Sequence, residues 1–230
     1  MLKRRVIIGL LFADGVLTRT KQFRPDYPYT TSFLATEAID EAILVDVTRA
    51  GPSEASWRAM AAFADRCFAP VTMGGWIATE DDVARFFDLG ADKVVIGRAA
   101  RNGIVEKVAR RWGCQAAVVA CDVGRDDRGD PSGFCREAEA RGAGEIYLQS
   151  VEKDGSLGGY DLPLLWEVSN RVSVPISIGC GCGGWKHMQE AFEAGATGAV
   201  TTCVHHWTEG ALRGFKERLH GAGVPVRVAA

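Results

Sequence analysis

The chain has 230 residues, 27 basic and 29 acidic side chains and a formal net charge of −2. That length is ample for one buried core and close to the roughly 250 residues of an α/β barrel. The charge balance provides no global field for nucleic acid or an anionic membrane, and no apolar run approaches the roughly 20 residues of a membrane span. The opening MLKRRVIIGLLFADG sets basic residues before an apolar run, as a signal peptide does, but the run is short and Asp14 interrupts it. Seven cysteines, an odd number scattered through strand-like segments, point to a reduced, cytoplasmic protein rather than a disulfide framework.

In chain order, short β-rich apolar runs fall at residues 6–11, 42–47, 69–73, 93–97, 117–122, 145–150, 174–179 and 198–203. They are too short for helices and do not alternate cleanly, so they predict strands buried on both faces, as in a parallel sheet. Residues 12–31 form the longest irregular segment. Amphipathic segments lie between the strands. Residues 79–89 set Val83, Phe86 and Phe87 on one side of a helix and Asp81, Asp82 and Arg85 elsewhere, with Thr79 as N-cap and Gly90 as the stop. Residues 137–141 before Gly142, and 187–194 before Gly195, follow the same pattern.

Eight strands alternating with helices predict a closed barrel or a doubly wound sheet, and an internal repeat chooses between them. Pro70 opens a strand that ends at Gly74–Gly75, and its helix closes at Gly90–Ala91. Pro175, Gly181, Gly183 and Gly195–Ala196 repeat the series 105 residues later, with the same Pro-to-Gly spacing of 20. Glu41 and Glu145 open corresponding strands at nearly that offset. Two like halves of four β/α units predict one (β/α)8 barrel domain over residues 1–230. In such a barrel, residues 12–31 lie on the catalytic face.

The segments KRRVIIGLL with Asp14–Gly15, DEAILVDVT, TMGGWI, LGADKVVIG, VVACDV, RGAGEIYLQSVEKDGSLGGYDL, GCGCGG and GVPVR occur in that order. Together, from Met1 to about Arg227, they resemble the cyclase subunit of imidazole glycerol phosphate synthase. The stretch RGAGEIYLQS…DG…GYDL is the specific one; paired glycines after a strand occur in many phosphate-binding barrels. The resemblance implies a barrel that takes ammonia from a class I glutaminase partner and needs neither cofactor nor metal. It implies an ammonia gate of alternating charge at the strand N-termini, here Arg5, Glu41, Lys93 and Glu145, with Asp92 facing the glutaminase. Taken singly, each of these is an ordinary charge at a strand end. Two acids and two bases in register, however, can pair mutually and stay charged at low solvent access.

At the strand C-termini the resemblance implies two catalytic aspartates. One matches Asp122; the other position holds Leu11, which cannot transfer a proton. Arg19 replaces a loop lysine and is a poor proton donor because it stays charged. The implied substrate and phosphate set is Arg19, Ser150, Asp154, Gly155, Ser156, Gly181, Thr202 and Cys203, with Gly75 and Arg98 on the opposite side. Cys180 and Trp76 take glycine positions, and Cys203 a serine position. A side chain at such a glycine narrows the space where backbone N–H groups meet a phosphate. Trp76 is either a stacking wall for a ring or core filler. Cys121, Cys180, Cys182, Cys203, His205 and His206 also collect near this face, but their spacing matches no metal-site signature, and small core-filling thiols explain them better. Cys203 and His205 are alternate residues that merely share a face.

A kept gate with altered cyclase residues favours a synthase subunit that delivers ammonia to another acceptor, a small phosphorylated or nucleotide-sugar-type molecule, as in paralogues of surface-glycan amidation. The ordinary cyclase of histidine biosynthesis is the alternative. A non-catalytic scaffold for glutaminase docking is the third reading, and Asp122 with residues 154–156 weighs against it. No nucleic-acid or membrane partner is expected.

Overall fold

The computed structural model describes residues 3–30, 38–124, 129–206 and 210–228. The first strand, β1 (Arg5–Ala13), leads into a hairpin of β2 (Val16–Lys21) and β3 (Arg24–Pro28). Then β4 (Glu41–Asp46), α1 (Glu54–Ala64), β5 (Val71–Gly74), α2 (Glu80–Asp88), β6 (Lys93–Ile96), α3 (Ile104–Trp112), β7 (Ala117–Val123) and α4 (Pro131–Ala140) follow. The chain continues through β8 (Glu145–Ser150), α5 (Leu162–Ser169), β9 (Ile176–Gly179), α6 (Trp185–Glu193), β10 (Gly198–Thr201) and α7 (Ala211–Gly221).

Eight strands run parallel in the ring order β1-β4-β5-β6-β7-β8-β9-β10, and β10 pairs back onto β1 from Arg5–Gly198 to Ile8–Thr201. This is the (β/α)8 barrel that the repeat predicts. Among the described residues, each barrel strand after β1 is followed by a helix; the connection into β4 includes residues 31–37, outside the described set.

Helix α2 starts as its sequence requires. Thr79 accepts from Asp82 N, and the Asp82 carboxylate returns a bond to Thr79 N, a capping box. Helix α4 begins well before residue 137, because Asp130 caps it through Gly133 N and Pro131 occupies its first turn. The expectation of an irregular segment over residues 12–31 is corrected. β1 continues to Ala13, and β2 and β3 form an antiparallel hairpin; Thr31 lies outside the described residues. The cause is local: Asp14 and Gly15 have φ of +51° and +83°. Two left-handed residues make the two-residue turn whose twist matches that of paired strands, and Asp-Gly is its usual sequence. Phe12 accordingly pairs with Leu17, and Ala13 with Val16.

Side chains alternate across each strand, which gives two apolar layers. Val6, Ile8 and Leu10 point outward and pack with helix residues such as Met60, Phe86 and Leu165. Ile7, Ile43, Val95, Val118, Ala120, Tyr147 and Val200 fill the barrel interior. The Tyr147 ring spans this inner layer and abuts Gly179, where a Cβ would lie 2.6 Å from the phenol oxygen. Helix α7 is anchored by a buried pair that the sequence did not announce: Lys216 Nζ lies 2.7 Å from Asp40 Oδ1, and Asp40 Oδ2 accepts from Val6 N at 2.9 Å.

Candidate functional site

The barrel has two mouths. At the lower one, where strands begin, Arg5, Glu41, Lys93 and Glu145 come from β1, β4, β6 and β8 and close into a ring of alternating sign. Arg5 Nη1 donates to Glu41 Oε2 at 2.5 Å, and Nη2 to Glu145 Oε1 at 2.7 Å. Lys93 Nζ bridges the same two acids, at 2.8 Å to Glu41 Oε1 and 2.9 Å to Glu145 Oε2. Each charge therefore meets both of its opposites. Thr72 donates to Glu41 Oε1 at 3.0 Å and Ser177 to Glu145 Oε1 at 2.5 Å, so the two buried carboxylates are further satisfied from β5 and β9. Burial alone would push the Arg5 guanidinium down, but its bonds and charge pairing with Glu145 and then Glu41 raise it above its ordinary value. Burial likewise opposes ionisation of Glu145, and the Arg5 hydrogen bond and charge, with Lys93, hold it below the usual carboxylate range.

Asp92 sits at this mouth, exposed. Its carboxylate accepts from Val71 N at 2.8 Å and so caps the start of β5. In the connection from α1 into β5, Phe68 is fully exposed. Sequence reasoning passed over Phe68; its signal was an aromatic residue placed outside any apolar periodicity.

At the upper mouth, Val118 and Ala120 of β7 face the interior, so Asp122 does as well; the same alternation carries β1 from Ile7 through Gly9 to Leu11. Three strands separate β1 from β7 on either side. Leu11 and Asp122 therefore oppose each other across the mouth.

The hairpin leans over the connection after β8. Asp154 Oδ2 accepts from Thr20 Oγ1 at 2.7 Å and from Phe23 N at 3.0 Å. Gln22 N adds a bond to the Asp154 carbonyl at 3.3 Å. Gln22 and Phe23 both have positive φ, 51° and 58°, without a glycine to ease the turn, so Asp154 supplies what holds it. Arg19 of β2 reaches the same connection: its Nη2 donates to Gly155 O at 2.8 Å, its Nη1 lies 3.3 Å from Asp26 Oδ2, and its guanidinium sits over the Tyr27 ring. Gly155 is wedged, since a Cβ there would lie 2.9 Å from Thr20 O. Ser156 is exposed and its hydroxyl accepts from Gly158 N. Ser150 is buried at the end of β8. The structure thus joins Arg19, Asp154 and Gly155 in one hairpin-to-loop contact.

The internal repeat reappears in the turns after β5 and β9. Gly75 and Trp76 have φ of +106° and +63°; their counterparts 105 residues on, Cys180 and Gly181, have +70° and +92°. Each copy holds two consecutive left-handed residues, one of them glycine. The positions that the resemblance assigns to glycine, Trp76 and Cys180, are the strained members of these pairs. Trp76 is 46% exposed and belongs to neither apolar layer, so it is not core filler. Arg98 is exposed at the end of the neighbouring strand β6.

The cysteines are all free thiols, and Cys121, Cys180, Cys182 and Cys203 are buried. Burial, and then the charge of Asp154, pushes the Cys180 thiol well up; burial also raises Cys182. Neutral, buried thiols are poor nucleophiles and poor metal ligands. Cys203 Sγ lies 3.6 Å from Thr202 Oγ1, and the Thr202 methyl covers Gly9. His205 packs edge-on against Tyr29, with ring centroids 6.0 Å apart. The His206 side chain is outside the described set.

Fold and mouths define the class: a (β/α)8 barrel of the family described as histidine biosynthesis protein, whose sequence profile matches residues 12–209. The imidazole glycerol phosphate synthase subunit HisF of Acidobacterium capsulatum is 33% identical over 251 residues, covering 99% of each chain. That of Gluconacetobacter diazotrophicus is 36% identical over 250 residues, covering 99% of this chain and 97% of the relative. That of Streptococcus sanguinis is 33% identical over 252 residues, covering 99% of this chain and 100% of the relative. The chain belongs to the HisF family of imidazole glycerol phosphate synthase subunits. Among the described residues, no helix is long and apolar enough to cross a membrane.

Proposed function

We propose that the chain is the synthase subunit of a two-component imidazole glycerol phosphate synthase, fed with ammonia by a class I glutaminase on its lower face. The closed ring of Arg5, Glu41, Lys93 and Glu145, at the lower mouth of a barrel whose relatives bear that enzyme's name, carries this reading. Paired charges close the mouth to water and ions. Displacing the Lys93 ammonium, a flexible point charge, opens a gap that suits small, neutral ammonia. Asp92 contributes to the glutaminase contact. At the upper mouth Asp122 moves protons as general acid and base. The loops holding Ser150, Gly155, Ser156, Gly181, Thr202 and Cys203 take one end of a phosphorylated substrate. Gly75 and Arg98 take the other, and Arg19, bonded to the Gly155 carbonyl, covers the first end.

A second reading keeps the gate and changes the acceptor: ammonia goes to another phosphorylated or nucleotide-sugar-type molecule. Leu11 favours it, because the position facing Asp122 has no proton to give. Relatives over nearly the whole chain favour ring closure. Complementation of a bacterium lacking its own cyclase subunit, with this chain and its host glutaminase, separates the two. Growth without histidine is expected. No growth, with the protein folded and the glutaminase bound, selects the second acceptor.

A further inference from the structure

The internal repeat pairs the entry of α2 with the entry of α6, and one residue there changes its chemistry. Thr79 and, 105 residues on, Gly184 are the N-caps of the two helices. In the first half Asp82 turns back from the first turn of α2 and accepts from Ala78 N at 3.0 Å and from Thr79 N at 2.8 Å. In the second half the counterparts of Ala78 and Asp82 are Gly183 and His187. Gly183 N donates to His187 Nδ1 at 3.0 Å, so the bond is kept and its acceptor is an imidazole. An imidazole that accepts at Nδ1 is neutral and carries its proton on Nε2. Helix α6 therefore starts without the carboxylate that closes the start of α2.

His187 also joins two connections of the upper mouth. The loop after β8 lies on the turn after β9: Gly159 N donates to Gly181 O at 2.8 Å, and a Cβ on Gly183 would strike Leu157 O. The His187 ring fits against both, 3.2 Å from the Cβ position of Gly183 and 3.7 Å from that of Gly159. A helix start carries partial positive charge, and its first N–H groups have no partner within the helix. A carboxylate in that turn cancels the charge and repels an incoming anion. A neutral acceptor orders the same backbone and leaves the charge for a ligand.

We propose that His187 is a positioning residue for anion binding: its bond to Gly183 fixes the turn after β9, and its neutrality keeps the entry of α6 free of negative charge. This role rests on the proposed seating of one phosphate end of the acceptor at this turn. His187 acts through the backbone of the turn, and an oxygen acceptor of the same reach can replace it only if that oxygen is uncharged.

The test is an NMR titration of the full chain with inorganic phosphate, following the amides of Gly181, Gly183 and Gly184, without glutaminase or turnover. Wild type is compared with His187→Asn, His187→Asp and His187→Ala, each shown to be folded by its melting curve. Asparagine and aspartate both place an oxygen near the position of Nδ1 and differ in charge. His187→Asn is expected to keep the wild-type phosphate affinity. His187→Ala is expected to weaken it about threefold or more and to quicken exchange of the Gly183 amide, as loss of one ordering hydrogen bond does. His187→Asp, which copies Asp82, is expected to keep the Gly183 amide protected yet weaken phosphate about tenfold, because its charge faces the anion across a short, poorly screened distance. A packing role alone would leave the asparagine and aspartate variants alike. Equal affinity in those two variants, or an asparagine variant as weak as the alanine one, overturns the proposal. So does the absence of any phosphate-induced shift in the wild type at millimolar concentration. Complementation does not enter this titration, so failure of His187 in its role and failure of the synthase reading are separately visible.

Discussion

Two residues carry the sharpest consequences of the site. Glu145 is buried and bonded to Arg5, Lys93 and Ser177, and its pKa is held below the usual range. A carboxyl group with a lowered folded-state pKa adds stability that is present above its unfolded pKa, near 4.3, and lost as pH falls through the folded value. Glu145→Gln should therefore lower the melting temperature clearly at pH 7, because it leaves two cations with one acid. Breaking a buried pair costs about 3 kcal/mol or more, and the partial exposure of Arg5 and Lys93 places this one at or below that figure. Melting curves of both proteins from pH 7 to pH 3 should converge at the acid end; a constant gap would contradict the assignment. Leu11 is the other residue. If ring closure runs with Asp122 as the lone carboxylate, restoring a partner by Leu11→Asp should raise ammonia-dependent turnover, and one positioned acid or base is typically worth on the order of 10²–10⁴ in rate. An unchanged or lower rate for a folded Leu11→Asp protein would place the second proton transfer elsewhere.

Among the elements, the eight barrel strands were legible because a strand buried on both faces is a short, continuous apolar run, and each run here stands between turn residues. The β2–β3 hairpin was not. Its strands alternate weakly, Pro25 and Pro28 interrupt the second, and the turn at Gln22–Phe23 has no glycine to mark it. Asp14–Gly15 did carry a hairpin signal, and giving that pair its usual weight would have found β2. The partner that holds the hairpin lies more than a hundred residues away at Asp154, beyond any local pattern. The four charged residues of the lower mouth could be named because the family resemblance implies them and each opens a strand, but only closure of the barrel shows that they bond to one another. The left-handed backbone at Trp76 has no sequence signature at all. The hairpin's dependence on Asp154 is testable. Asp154→Ala removes acceptors from a buried hydroxyl and a backbone N–H, a loss of about 1–3 kcal/mol. Because the hairpin sits on the barrel's rim, the loss should be local. Amide exchange at Thr20, Gln22 and Phe23 should quicken tenfold or more while the amides of β4 to β10 keep their protection. Uniform loss of protection would mean that Asp154 supports the barrel instead.

At the scale of the whole molecule, the two mouths are separated by the inner apolar layer, and Tyr147 is its largest member. The ring of charges lies below this layer and Asp122 above it, so the route proposed for ammonia, from beneath Arg5 and Lys93 to the acceptor, passes the Tyr147 side chain. Burial raises the phenol pKa well above its ordinary value, so the group is neutral and offers ammonia no charge to bind. Passage then depends on room. Gly9, Gly74 and Gly179 face the interior without side chains at the level above Ile7, Ile43 and Val95, and Tyr147 already fills the space beside Gly179. Enlarging Tyr147 should obstruct this route and leave the upper mouth open to ammonia from solution. Tyr147→Trp is therefore expected to lower glutamine-dependent turnover about tenfold or more while ammonia-dependent turnover changes little. Overpacking a core typically costs about 1–3 kcal/mol, so a melting curve must first show that the variant is folded at the assay temperature. The informative quantity is the ratio of the two rates, because a fault in the catalytic mouth lowers both together. A fall confined to the glutamine-dependent reaction, with glutaminase binding unchanged, places the ammonia route through the barrel; an equal fall in both would reduce Tyr147 to a packing residue and remove the interior from the path.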